Sequence, residues 1–113
     1  MGISSTKEKD IICVSLSGRL DSHCVEITDK QFKKWLKDGE TKFIVDFEGI
    51  EYISSAGLRI FVNATKKLLG KGGGIVLYNL SRDLINIFEI TGLVNIISVA
   101  DNKAEALKYF ANN

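Results

Sequence analysis

Two rhythms of apolar and polar positions alternate along this chain. Residues 11–17 follow the first, with Ile12, Val14 and Leu16 on one side and Cys13, Ser15 and Ser17 on the other. A period of two is that of a half-buried strand. Before it, residues 3–7 hold one large apolar side chain, Ile3, and make only a weak strand candidate. Glu8-Lys9-Asp10 reads as the turn between them, which pairs the two antiparallel at a sheet edge. Gly18 closes the second strand, and Asp21 and Ser22 are residues that start helices. After them Cys24, Thr28, Phe32, Trp35 and Leu36 share one helical stripe, while Lys30, Lys33, Lys34 and Lys37 lie off it. Gly39 stands where a helix C-terminal cap belongs.

The alternation of rhythms continues. Residues 42–47 are almost all apolar and rich in strand formers, as in a strand buried on both faces. The clearest helix comes after Ser54-Ser55, with Leu58, Phe61, Val62, Thr65, Leu68 and Leu69 on its expected inner side and Arg59, Asn63, Lys66 and Lys67 facing out. Residues 75–80 form another buried strand. Ser81 caps a third helix with Leu84, Ile85, Phe88 and Thr91 inward, and Gly92 stops it. Residues 93–99 contain a short apolar strand, and Asp101 caps a last helix carrying Ala104, Leu107 and Phe110. Strands alternating with helices predict an α/β fold: a single domain over residues 1–113, with a central mixed, mostly parallel sheet and flanking helices.

A chain of 113 residues has room for one such domain, and 45% hydrophobic with 26% charged residues excludes intrinsic disorder. Fifteen Lys and Arg against fourteen Asp and Glu predict no direct nucleic-acid contact. No apolar run approaches the roughly 20 residues that cross a bilayer, so no membrane insertion is expected. A polar stretch over residues 1–10 shows no signal peptide, which implies a cytoplasmic protein. Cys13 and Cys24 make no disulfide framework, and with His23 as the sole histidine they make no metal site.

Candidate chemistry is sparse. Gly70-Lys71-Gly72-Gly73-Gly74 comes after a helix and opens a strand, the reverse of a phosphate loop, and reads as a turn. Asp21, Asp46, Glu48 and Glu51 lack a partnering base or ligand set, and neither Ser54 nor Ser55 lies in a Gly-x-Ser-x-Gly elbow. The informative place is Ser54-Ser55-Ala56-Gly57, at the start of the strongest helix. One serine there serves as an N-cap. A helix N-terminus also suits a phosphate, so either serine is equally a site for a phosphoryl group. Periodicity leaves both readings open. The small Ala56-Gly57 pair likewise either leaves room for a partner or lets the helix pack closely on the sheet.

Residues 46–58, Asp-Phe-Glu-Gly-Ile-Glu-Tyr-Ile-Ser-Ser-Ala-Gly-Leu, resemble the signature of the STAS domain, the anti-sigma factor antagonist family. Gly18-Arg19-Leu20-Asp21, Lys71-Gly72-Gly73 and Ile87-Phe88-Glu89-Ile90-Thr91-Gly92-Leu93 match further family turns in the right order, so the resemblance covers nearly the whole chain. It implies a binding protein rather than an enzyme, with no cofactor. The implied partners are an anti-sigma factor, often a serine kinase that phosphorylates the antagonist and ends the binding, and a phosphatase that reverses it. The implied phosphorylation site is Ser55, with Ser54 second. The acidic residue that precedes the family's serine is replaced here by Ser54. The expected partner surface comprises Asp21, Ser54, Ser55, Ala56, Gly57, Arg59, Asn63 and Lys66, on a monomer or weak dimer. The alternative implied by the family is an unphosphorylated accessory subunit of a membrane transport or sensory complex.

Overall fold

The structure is a computed structural model and describes residues 2–111. Its elements run β1 (Gly2–Glu8), β2 (Ile11–Leu20), α1 (Ser22–Lys37), β3 (Lys42–Ile53), α2 (Ser55–Leu68), β4 (Gly74–Tyr78), α3 (Arg82–Thr91), a 3-10 turn (Leu93–Asn95), β5 (Ser98–Ala100) and α4 (Lys103–Ala111). The five strands stand in the sheet in chain order. β1 is antiparallel to β2, and every other neighbouring pair is parallel. The expected mixed, mostly parallel α/β sheet is therefore present. Among the described residues no helix is long and apolar enough to cross a membrane.

Alternation along the strands divides the core into two layers. Ile12, Val14, Leu16, Phe43, Val45 and Leu77 meet Phe32 of α1, Ile60 and Phe61 of α2, and Leu84 and Phe88 of α3. On the other face Ile11, Cys13, Ile44, Val76 and Tyr78 pack against Ala106 and Phe110 of α4. Burying apolar surface on both faces is what makes β3 and β4 nearly continuous apolar runs. The larger layer centres on Phe32, whose ring lies 5.5 Å from Phe43 and 5.6 Å from Phe61 between centroids, the latter edge-on.

Several boundaries differ from the sequence reading. The weak first segment is a full strand of seven residues, because β2 supplies its ladder partners. β2 continues to Leu20 and β3 to Ile53, beyond the apolar runs, whereas β4 stops at Tyr78. α2 is turned relative to its apolar pattern. Its buried positions are Gly57, Ile60, Phe61, Ala64 and Leu68, with Leu58 and Val62 half-buried. Small side chains at 57 and 64 allow this side to approach closely. Leu69 lies past the last helical turn with an extended ψ of 130°, and is 74% exposed.

In α3, Leu84 and Phe88 are buried and Ile85 is half-buried, but Thr91 is exposed and its hydroxyl donates to the Ile87 carbonyl at 2.6 Å. In residues 93–99 a 3-10 turn takes the first part and the strand forms only at Ser98–Ala100. The cap of α4 is Asn102, whose Oδ1 accepts from the Glu105 N–H at 2.9 Å, in place of Asp101. Ala106 and Phe110 form the buried side of α4, while Leu107 is half-buried and Ala104 exposed. The glycine run is a turn, as its order indicates. Gly70 and Gly72 have positive φ, and a Cβ on Gly73 would overlap the Thr41 carbonyl.

Candidate functional site

The site is built by the far end of β3. Between the pairs Ser15–Asp46 and Ser17–Gly49, and again between Gly18–Ile50 and Arg19–Tyr52, β3 carries one residue more than β2. Each extra residue is a bulge that bends the strand and re-aims the side chains beyond it. Gly49 permits the first one, since a Cβ there would stand 2.9 Å from the Ser17 Cβ. The Asp46 carboxylate secures it, accepting from the Glu48 N–H at 2.9 Å and from Asn79 Nδ2 at 3.1 Å. Asp46 thus shapes the chain.

This bent extension delivers Ser54 to the head of α2. Ser54 has extended backbone, and its Oγ accepts from the Gly57 N–H at 3.1 Å. It is the N-cap. The same hydroxyl donates to the Leu20 carbonyl at 3.2 Å, so its hydrogen-bonding capacity is spent inward. Ser55 is the first helical residue and is exposed. The first-turn N–H groups of Ser55 and Ala56 have no carbonyl one turn back within the helix, and no acidic residue stands in that turn. An anion at Ser55 would meet unpaired donors and the positive end of the helix dipole. Of the two serines, Ser54 takes the capping role and Ser55 is left facing solvent.

Ala56, Arg59, Asn63 and Lys66 are all exposed, like Ser55. Steps of four, four and three place Ser55, Arg59, Asn63 and Lys66 on one stripe of α2. Gly57 does not belong to that surface. It is buried, and a Cβ there would stand 2.9 Å from Ile53 Cγ1 and 3.0 Å from the Leu20 carbonyl. Its burial corrects the expectation that Gly57 is part of the exposed surface and favours the close-packing reading. Asp21 sits beside this junction, one residue after the carbonyl that Ser54 binds. It occupies the N-cap position of α1 but makes no side-chain cap bond, and pairs instead with Arg19 Nη2 at 3.4 Å.

Sequence reasoning missed Arg19 and Tyr52. The Arg19 guanidinium carbon lies 4.4 Å from the Tyr52 ring centroid, and Tyr52 is 45% exposed. These residues become neighbours only because of the bulges, which no alternation pattern reveals. Beyond Tyr52 a groove of about 240 Å³, including Ile50, Ile53, Leu84 and Ile87, runs between the end of β3 and α3. His23 is exposed and its nearest acidic partner is Glu26 at 3.9 Å. Among the described residues no three His, Cys, Asp or Glu side chains come together as metal ligands.

Comparisons with known proteins bear on the family and the fold. The STAS domain profile matches residues 3–106. The anti-sigma-B factor antagonist of Bacillus subtilis is 28% identical over 100 residues, covering 88% of this chain and 91% of that protein. The structure of an anti-sigma factor antagonist from Mycobacterium paratuberculosis superposes with a TM-score of 0.87 at 20% identity, over 97% of this chain and 93% of the other. The anti-sigma factor antagonist SpoIIAA in its unphosphorylated form gives a TM-score of 0.78 at 19% identity over 99% of both chains. Its phosphorylated form, from Bacillus, gives 0.75 at 23% identity over 96% of this chain and 98% of the other. With the family profile matched over residues 3–106, most of its length, this chain belongs to the STAS domain family.

Proposed function

We propose that the protein is an anti-sigma factor antagonist, switched by phosphorylation of Ser55. The observation that carries this is the division of labour at the head of α2: Ser54 is engaged as the cap while Ser55 is exposed to solvent. A kinase can reach Ser55 without unwinding the helix. The family's acidic residue before the serine and the Ser54 found here are both strong N-caps, so the substitution keeps the capping role. The relatives' names supply the partner class, an anti-sigma factor.

Unphosphorylated protein binds the anti-sigma factor through the α2 stripe Ser55, Arg59, Asn63 and Lys66, with Ala56, Ser54 and Asp21 at its head. Binding releases a sigma factor. Phosphorylation places a dianion where the contact accommodates a hydroxyl, which ends binding by bulk and charge. A phosphatase resets the switch. The protein acts by binding and catalyses nothing itself. A sigma factor works on RNA polymerase, which sets the place of action in the cytoplasm.

The test is to incubate the protein with its cognate serine kinase and ATP, locate the phosphate by mass spectrometry and record binding isotherms for both forms. Modification at Ser55 with loss of affinity is the expected result. Absence of any modification at Ser55 would favour an accessory subunit of a membrane transport or sensory complex.

A further inference from the structure

Charge is unevenly divided over this nearly neutral molecule. The stretches 22–41 and 55–73, which hold α1, α2 and the turns after them, carry eight Lys and Arg against four Asp and Glu. The rest of the chain carries seven against ten. The acids on the cationic side are already engaged: Asp29 with Lys33 and Asp38 with Lys34, each at 2.9 Å, Glu40 with Lys7 at 2.8 Å, and Glu26 beside His23. Arg59, Lys66 and Lys67 enter none of the ion pairs among the described residues.

Two of these free cations border a groove. A depression of about 350 Å³ runs between α1 and α2, with Phe32, Leu36, Ile60 and Ala64 as its floor, the Asp29–Lys33 ion pair on one wall and Asn63, Lys66 and Lys67 on the other. Leu36 is half-buried and the other floor residues are buried. Two packed helices present a channel into which a third helix fits by ridges and grooves. An apolar floor selects apolar side chains at helical spacing, and the unpaired ammonium groups of Lys66 and Lys67 select carboxylates flanking them. Phe32 is only 1% exposed, so the floor offers no ring on which a nucleic-acid base could stack.

We propose that the α1–α2 groove is the docking site for an acidic amphipathic helix of the protein's partner, with that helix's apolar side chains over Leu36, Ile60 and Ala64 and its carboxylates against Lys66 and Lys67. This deepens the function proposed above and rests on it for the kind of partner, since Asn63 and Lys66 belong to both surfaces. Asn63 lies eight residues beyond Ser55, about 12 Å along the helix axis. The groove therefore holds a contact that the Ser55 hydroxyl does not touch.

The probe is a synthetic acidic helical peptide with leucine at i, i+3, i+4 and i+7 and glutamate on its remaining face, titrated into isotopically labelled protein. Amide shifts are expected at Lys33, Leu36, Ile60, Asn63, Lys66 and Lys67. K66E/K67E is expected to weaken binding by about tenfold or more, and the milder K66A/K67A by less. Circular dichroism checks that both keep the fold, as their exposure leads one to expect. Arg82→Glu, an exposed charge reversal on α3 away from the groove, is expected to leave peptide affinity within about twofold. A scrambled peptide of the same composition is expected to bind much more weakly. Shifts confined to another surface, equal binding by the scrambled peptide, or unchanged affinity in K66E/K67E would overturn the proposal. Tighter binding of a single-stranded oligonucleotide at the same lysines would overturn it too, assigning the face to nucleic acid. Failure of the function proposed above is read separately, from phosphate on Ser55 and binding of the anti-sigma factor.

Discussion

Ser54 is tied to Leu20 twice through a single acceptor, its backbone N–H reaching the Leu20 carbonyl at 3.1 Å and its hydroxyl at 3.2 Å. The end of β2 and the beginning of α2 are thereby one hydrogen-bonded unit. Ser54→Ala removes the hydroxyl bond and the cap on Gly57 together. It is expected to lower stability by about 1–2 kcal/mol, the upper part of the range for a lost N-cap. Urea denaturation read by circular dichroism measures it. Ser55→Ala, at an exposed position, is expected to change stability by less than about 0.5 kcal/mol. Equal costs for the two would show that the serines do not divide the roles described.

Gly57 answers to a steric limit. A methyl group there meets the Leu20 carbonyl at 3.0 Å and Ile53 Cγ1 at 2.9 Å. Backbone on one side cannot yield as a flexible side chain would, so Gly57→Ala is expected to cost about 1–3 kcal/mol despite alanine's better helix propensity. Gly57→Val is expected to cost more. Partner affinity of the folded fraction should change little, which paired isotherm and denaturation data on the same variant would show.

Phe61 is fully buried, between the rings of Phe32 and Phe47. Phe61→Ala is expected to destabilise by about 3–5 kcal/mol, as loss of a large buried ring does. Leu69→Ala, eight positions on and 74% exposed, is expected to fall within about 0.5 kcal/mol. Thermal melts of the two variants distinguish this orientation of α2 from one with Leu69 inside.

Phosphorylation of Ser55 is expected to leave the fold intact and to raise stability slightly, by about 0.3–1 kcal/mol from the helix dipole. A melting curve before and after modification checks this. A large loss of melting temperature would mean that the phosphate acts by unfolding the helix rather than by blocking a contact.

The two thiols are expected to differ in reactivity. Burial, aided by the negative charge of Glu8, pushes the Cys13 thiol above its usual range, so the reactive thiolate forms less readily. Cys24 is half-buried. Native protein treated with a thiol-exchange dye near neutral pH is expected to react first at Cys24, and at Cys13 only once urea unfolds the chain. Faster labelling of Cys13 in the native state would contradict its burial in the layer that holds Ala106 and Phe110.

Much of this is legible in the order of residues, for identifiable reasons. The alternation from Ile11 to Ser17 and the apolar run after Lys42 record burial on one face and on two, and strands appear there. Ser81 and Gly92 bound α3 because capping is local chemistry, readable from a few neighbours. The apolar stripe puts Leu69 inside because such a stripe does not show where the helix ends. The turn of α2 toward Gly57 and Ala64 depends on the closeness of Leu20, a residue 37 positions before Gly57 in the chain. The register that brings Arg19 onto Tyr52 depends on two bulges, and bulges arise from three-dimensional pairing. The family resemblance points to Ser55, but only the cap bonds show why it, and not Ser54, is free.

The strands enter the sheet in the order in which a ribosome makes them. Each new strand finds its neighbour already synthesised, and each connecting helix covers the layer just laid, so the large layer with Phe32 and Phe61 can assemble as the chain emerges. The opposite face has no such schedule. Ile44 and Val76 are covered only by α4, the last element of the described chain. Until it arrives, a growing polypeptide holds one finished layer and one bare apolar face. The docking of α4 is therefore the step that turns a sticky nascent sheet into a surface free to choose its partner.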